Sequence, residues 1–130
     1  MTIVLDASAA VDALVPGQNR DTTRDHFRRG ALIAPHLVDS EVASALARME
    51  RAGTISRTEA DRAVRDWQRL PCERVSVGRL LTEIWELRRS IRITDAHYVA
   101  LARRLGVTLL TSDARLARAP VKGVSILLIS

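Results

Sequence analysis

Thr2-Ile3-Val4-Leu5-Asp6-Ala7-Ser8 is the stretch on which the fold turns. After Thr2 it is an unbroken aliphatic run, the pattern of a short strand buried on both faces, as in a parallel sheet. A carboxylate follows directly, where such a sheet presents its strand ends to ligands. Further strands are expected at 31–34, bounded by Gly30 and Pro35, and at 74–77, 107–111 and 124–129. Amphipathic helices alternate with them. Within 36–51, Val38, Val42, Ala45, Leu46 and Met49 fall on one helical face, and Gly53 ends the helix. Ser56-Arg57-Thr58-Glu59 is a capping box for a helix running to Arg69, ahead of Pro71. Two more helices are expected over 79–89 and 95–105, the second capped by Thr94 and closed by Gly106. Strands alternating with helices make an α/β fold with a parallel sheet.

The 130 residues are expected to form one domain over 1–130, without a linker, repeat or low-complexity tract. A domain of this size buries roughly two-thirds of its unfolded surface. Apolar residues are 47% and aromatics 3%, so Leu, Val, Ile and Ala must fill the core. Cys72 is the single cysteine, which excludes an internal disulfide, and no Cys/His cluster suggests zinc. No apolar run reaches the ~18 residues of a membrane span. Met1 leads straight into the first strand with no basic leader, so a cytoplasmic location without membrane contact is expected. The net charge is +5, and Lys122 is the only lysine among 20 basic residues. Codon usage in a GC-rich genome produces such an arginine surplus, and so does phosphate recognition by guanidinium groups. The charge therefore permits a nucleic-acid partner without establishing one.

Four carboxylates stand apart by position. Asp6 follows the first strand and Asp113 the fourth, Asp95 opens a helix, and Glu41 borders the buried stripe of the 36–51 helix. Taken singly, Asp6 reads equally well as a helix cap, and Asp95 and Asp113 as first-turn acids. If the first and fourth strands flank the point where strand order reverses, a spacing of about 4.8 Å brings Asp6 and Asp113 together. Two like charges at 4 Å repel by roughly 4 kcal/mol at an effective dielectric near 20. A fold keeps such a cluster to hold a hard divalent cation, and oxygen-only ligands point to Mg²⁺ or Mn²⁺. In a metal-free cluster at least one acid should titrate high. Asp39, two residues from Glu41, lies about 200° around the helix and should face elsewhere. His97 is similarly placed relative to Asp95, and Trp67 and Trp85 sit in helical patterns that suggest core or interface packing.

Four segments carry a family resemblance: Ile3-Val4-Leu5-Asp6-Ala7-Ser8-Ala9, Glu41-Val42-Ala43-Ser44-Ala45-Leu46, Thr94-Asp95-Ala96-His97-Tyr98-Val99-Ala100-Leu101-Ala102 and Leu110-Thr111-Ser112-Asp113-Ala114-Arg115-Leu116. In this order they resemble the signature stretches of PIN-domain ribonucleases of the VapC type, the toxins of type II toxin–antitoxin pairs. The resemblance implies a three-layer α/β/α fold with a five-stranded parallel sheet in the order 3-2-1-4-5. It implies that Asp6, Glu41, Asp95 and Asp113 form a catalytic, metal-binding site, supported by Ser8 and Thr111. It further implies a Mg²⁺- or Mn²⁺-dependent endoribonuclease that cleaves structured RNA such as tRNA or rRNA, dimerises with itself and is silenced by a VapB-type antitoxin. Residues 54–72 fall in a variable region and receive no functional role.

Competing readings fare less well. A phosphate-accepting receiver domain needs an acidic pair after the first strand and a lysine after the last, and an aspartate-nucleophile phosphatase needs an acid at Ser8. The alternative from a different class is a non-catalytic PIN-like RNA-binding or scaffold module.

Overall fold

The computed structural model describes the chain from Met1 to Ser130. Its five strands are β1 (Thr2–Leu5), β2 (Ala31–Pro35), β3 (Cys72–Val75), β4 (Thr108–Thr111) and β5 (Ile126–Leu128). All pair in parallel, in the order β3-β2-β1-β4-β5. The helices are α1 (Ala7–Leu14), α2 (Arg20–Phe27), α3 (Leu37–Arg51), α4 (Arg57–Arg69), α5 (Leu81–Glu86), α6 (Ile93–Leu105) and α7 (Ala114–Ala117). A 3-10 turn at Gly78–Leu80 precedes α5.

Ile3, Val4 and Leu5 are all buried although successive side chains of β1 point to opposite faces, so helices cover the sheet on both sides. One layer is built from α1 packed with α2, α3 and α4, and α6, which packs on β1, β2 and β4, carries α5 with it. In α3, Val38, Val42 and Leu46 are buried as the spacing predicts, with Ala45 and Met49 partly buried beside them. Gly53 and Gly106 end α3 and α6 with φ of +75° and +66°, a left-handed turn that side chains with a Cβ resist. The capping box forms: the Glu59 amide donates to Ser56 Oγ at 3.1 Å and the Ser56 amide to Glu59 Oε1 at 2.8 Å. No helix is long and apolar enough to cross a membrane.

Several boundaries differ from expectation. The third strand lies two residues earlier, at Cys72–Val75, because its register on β2 pairs Leu32 with Cys72 and Pro35 with Val75. The helix expected over 79–89 is shorter, since it begins as the 3-10 turn and frays into turns after Glu86. Thr94 does not cap α6; Arg92 stands at its N-cap, and Thr94 lies within the first turn. Helices α1 and α2 were not legible as periodic patterns. The first is built of small residues buried nearly all round, and of the second only Thr23 is buried.

Candidate functional site

Parallel pairing puts the carboxyl ends of β1 and β4 side by side. Leu5 stands opposite Leu110, and the Asp6 amide donates to the Leu110 carbonyl at 3.0 Å. This is the place where strand order reverses: the chain runs from β1 outward to β2 and β3, then crosses to β4 on the other side of β1. Asp6 stands at the N-cap of α1, yet its side chain makes no capping bond. Its Oδ2 instead accepts hydrogen bonds from the Ser8 hydroxyl and, at 2.8 Å, from the Thr111 hydroxyl. Each hydroxyl also accepts a backbone amide, Ser8 from Ser112 at 3.1 Å and Thr111 from Asp113 at 3.0 Å. A hydroxyl has one proton to give. With both protons committed to Asp6, the two oxygens, 3.1 Å apart, are simply held side by side.

Asp6, Glu41, Asp95 and Asp113 all line one cleft of about 320 Å³, with Ser8 at its wall. They come from the end of β1, from α3, from α6 and from the end of β4, so only the sheet order joins them. Asp6 and Asp95 are buried, Glu41 is half-buried and Asp113 is partly open. Tyr98, wholly buried in α6, donates its hydroxyl to Glu41 Oε1 at 2.6 Å. Asp113 is also a helix cap, because its Oδ1 accepts the amides of Arg115 at 2.9 Å and Leu116 at 3.3 Å.

Arg115 holds the outer rim. Its Nη2 lies 2.9 Å from Asp95 Oδ2 and 2.8 Å from Asp113 Oδ2, bridging the two acids, and Arg92 Nε adds a second bond to Asp95 at 3.3 Å. No group of three acid, histidine or cysteine side chains is gathered tightly enough to hold a metal ion as it stands. The acids that could do so are partly engaged by these guanidiniums and by Tyr98. The donors nevertheless suit a hard cation, being carboxylates with hydroxyls beside them and no nitrogen or sulfur. A positive charge already sits between Asp95 and Asp113 in the form of the Arg115 guanidinium.

Burial raises the Asp6 pKa above its ordinary 3.8, against the lowering effect of Ser8 and Thr111, and the neighbouring Asp95 raises it further. Glu41 is also raised above 4.5, first by burial and then by Asp6 and Asp95, with the Tyr98 hydrogen bond opposing. Tyr98 itself is pushed far above the ordinary phenol range by burial and by Glu41, so it remains a proton donor. An acid whose folded pKa lies above its unfolded one stabilises the fold at low pH, and that stability is lost as pH rises through the folded pKa. Metal-free protein is therefore expected to lose stability as pH rises from the ordinary carboxylate range towards neutrality. The counter-effect of Asp39, whose pKa is lowered, sets in only below its ordinary 3.8. Thermal melts in EDTA across this range check the sign, and a melting point that rises with pH would contradict it.

Residues 3–122 match the PIN-domain family model. This chain belongs to the PIN-domain family. Ribonuclease VapC3 of Mycobacterium tuberculosis is 43% identical over 118 residues, covering 90% of this chain and 86% of that protein. VapBC2 from Rickettsia felis, solved bound to a DNA fragment from its promoter, shares the fold with a TM-score of 0.71 at 15% identity, each chain covered in full. VapC20 of Mycobacterium tuberculosis, described as a sarcin–ricin loop cleaving toxin, has a TM-score of 0.67 at 17% identity, with 95% of this chain and 98% of that one covered.

Within this PIN domain, reasoning from sequence missed Tyr98, Arg92 and Arg115 beside the acids. Spacing was the available signal: Arg92 and Tyr98 stand one turn before and after Asp95, and Arg115 follows Asp113 by two residues. Asp39 faces away from the cleft as expected, paired with Arg74 Nη2 at 2.9 Å. His97 turns its Nδ1 to the Ile93 carbonyl at 2.8 Å, away from any role at the acids. Trp67 is buried, but Trp85 is not a core residue: it is 57% exposed, with Arg88 stacked 4.3 Å from its ring centre.

Proposed function

We propose that this chain, acting as a single PIN domain, is a Mg²⁺- or Mn²⁺-dependent endoribonuclease and the toxin of a toxin–antitoxin pair. The observation that carries this reading is the cleft in which Asp6, Glu41, Asp95 and Asp113, drawn from four separate elements, face one another at the switch point of the sheet. The 43% identical relative named a ribonuclease supports the chemistry. The antitoxin partner, the homodimer and the cytoplasmic location follow from the family resemblance.

The four carboxylates would hold the cation, which when bound would supply the positive charge needed to activate water and to offset charge developing on the phosphate. Ser8 and Thr111 hold Asp6 in one orientation through Oδ2, leaving Oδ1 for the cleft. Tyr98 keeps Glu41 from swinging into solvent. Arg92 and Arg115, at the rim, offer guanidinium donors to the non-bridging oxygens of the scissile phosphate. Attack by water, rather than by the ribose 2′-hydroxyl, leaves a 5′-phosphate and a 3′-hydroxyl. Structured RNA such as tRNA or rRNA is the proposed substrate class.

Purified protein incubated with total tRNA and rRNA should cut only when Mg²⁺ or Mn²⁺ is present, and the new ends should be 5′-phosphorylated. Cleavage that persists in EDTA would remove the metal from the reading. RNA binding with no cleavage in either metal would favour the non-catalytic module. Induction in cells lacking an antitoxin should arrest growth, and unimpaired growth would remove the toxin role.

A further inference from the structure

Beside the acidic cleft lies a second cleft of about 490 Å³ with the opposite charge. Its walls carry Arg88, Arg89, Arg92, Arg115 and Arg118 and no acid. Three separate segments supply them: the turn after α5, the N-cap of α6, and α7 with the residue that ends it. All five arginines are exposed. Arg92 and Arg115 spend part of their charge on Asp95 and Asp113, whereas Arg88, Arg89 and Arg118 have no acidic partner within ion-pair distance. Arg92 lines both clefts, and Arg115 reaches from the basic one to two of the acids.

Five guanidiniums held together repel, and a fold gains nothing from gathering them unless an anion completes the set. The lining is short of the apolar anchors that a protein partner would use, with only Ile91, Ala119 and Pro120 between the arginines. Guanidinium donors in this number suit a chain of phosphates. We propose that this cleft binds the backbone phosphates of the substrate RNA on one side of the scissile bond and leads the strand to the acids. Trp85, exposed and stacked against Arg88 of the cleft wall, adds an aromatic surface on which an unpaired base can stack. The inference rests on the ribonuclease reading and deepens it by naming the surface that selects the strand's path.

The test measures binding without cleavage. A fluorescein-labelled single-stranded RNA is titrated in EDTA at several salt concentrations with wild type and with the Arg88→Ala/Arg89→Ala/Arg118→Ala protein. A control protein, Arg62→Ala/Arg65→Ala/Arg69→Ala, removes the same charge from exposed positions on α4, away from both clefts. Every phosphate that the protein no longer neutralises should lower the salt slope by about 0.7. The cleft variant should therefore show a slope shallower by about 2 and bind at least tenfold more weakly near 0.1 M salt, and the control should change far less. Equal changes in the two variants would overturn the proposal while leaving the ribonuclease reading intact, because cleavage is assayed separately. Wild type that neither binds nor cleaves RNA would sink both. Poly-glutamate that binds wild type with the same dependence on the three arginines, where RNA shows none, would reassign the cleft to an acidic polypeptide and overturn the RNA proposal.

Discussion

Asp6→Asn is expected to reduce RNA cleavage by about a thousandfold or more while leaving the protein at least as stable as wild type in EDTA. The two halves have one cause. Asp6 is buried at the switch point, and burial is the largest influence on its raised pKa, so its charge is carried at a cost in the absence of a cation. An amide is nearly isosteric, and its oxygen can still accept from Ser8 and Thr111 as Oδ2 does now. The fold therefore keeps its hydrogen bonds and sheds an unfavourable charge. The proposed reaction is deprived of a ligand that contributes several kcal/mol of charge stabilisation, at about 1.4 kcal/mol per tenfold in rate. Added Mg²⁺ should raise the wild-type melting point by mass action and shift the variant much less. Asp95→Asn should also abolish cleavage, but without the gain in stability, since Asp95 is the shared partner of Arg115 and Arg92. The repulsion expected of four clustered acids is thus compensated at Asp95 by two guanidiniums and left standing at Asp6 and Glu41. Cleavage by Asp6→Asn within tenfold of wild type would remove Asp6 from the catalytic group. A marked drop in its melting point would make it a structural residue.

Trp67→Ala is expected to destabilise the fold far more than any amide swap at the acids, lowering the melting point by about 10–15 °C. Its ring is buried where α4 meets α3, and truncating a buried tryptophan costs about 3–5 kcal/mol, at a few degrees per kcal/mol for a domain of this size. The indole also organises a polar cluster. Nε1 donates to Asp39 Oδ1 at 2.7 Å, Arg74 donates to both Asp39 oxygens at 2.9 and 3.2 Å, and the Arg74 guanidinium lies 4.6 Å from the ring centre. One side chain thereby ties α4, α3 and β3 together. Asp39 and Glu41 are two residues apart on α3 and face different ways, so this cluster holds the scaffold and not the acids. At a temperature where the variant is folded, its cleavage rate should stay within about threefold of wild type. A large drop in RNA affinity with little change in stability would instead make Trp67 a base-stacking residue. Trp67→Phe, which keeps an aromatic ring and drops the N–H donor, should cost about 1 kcal/mol.

Local pattern alone determined a good part of this protein. The aliphatic run before Asp6, the Val38, Val42 and Leu46 stripe, the Ser56 capping box and the glycines after α3 and α6 each report forces acting within a few residues, and each is where it was expected. The four acids were legible for the same reason, being fixed to strand ends and helix faces. What lay beyond the pattern depended on contacts between distant segments. The two residues by which β3 shifted are set by pairing with β2, not by its own composition. Helix α1 showed no clear period in the sequence because six of its eight residues are buried, which leaves only Ser8 and Asp12 to mark a polar side. Ser8 and Thr111, expected at the site only from the family resemblance, meet on Asp6 across 103 residues of chain, and Tyr98 reaches Glu41 across 57. Only the sheet order brings such pairs within bonding distance. The five arginines of the basic cleft are equally mute in the sequence: 88 and 89 fall at the end of the helix expected over 79–89, 92 lies before the next helix, and 115 and 118 follow Asp113 with no pattern that ties them to the others. Their charges act together because α6 and β4 pack side by side, and a Coulomb field depends on distance in space, not along the chain.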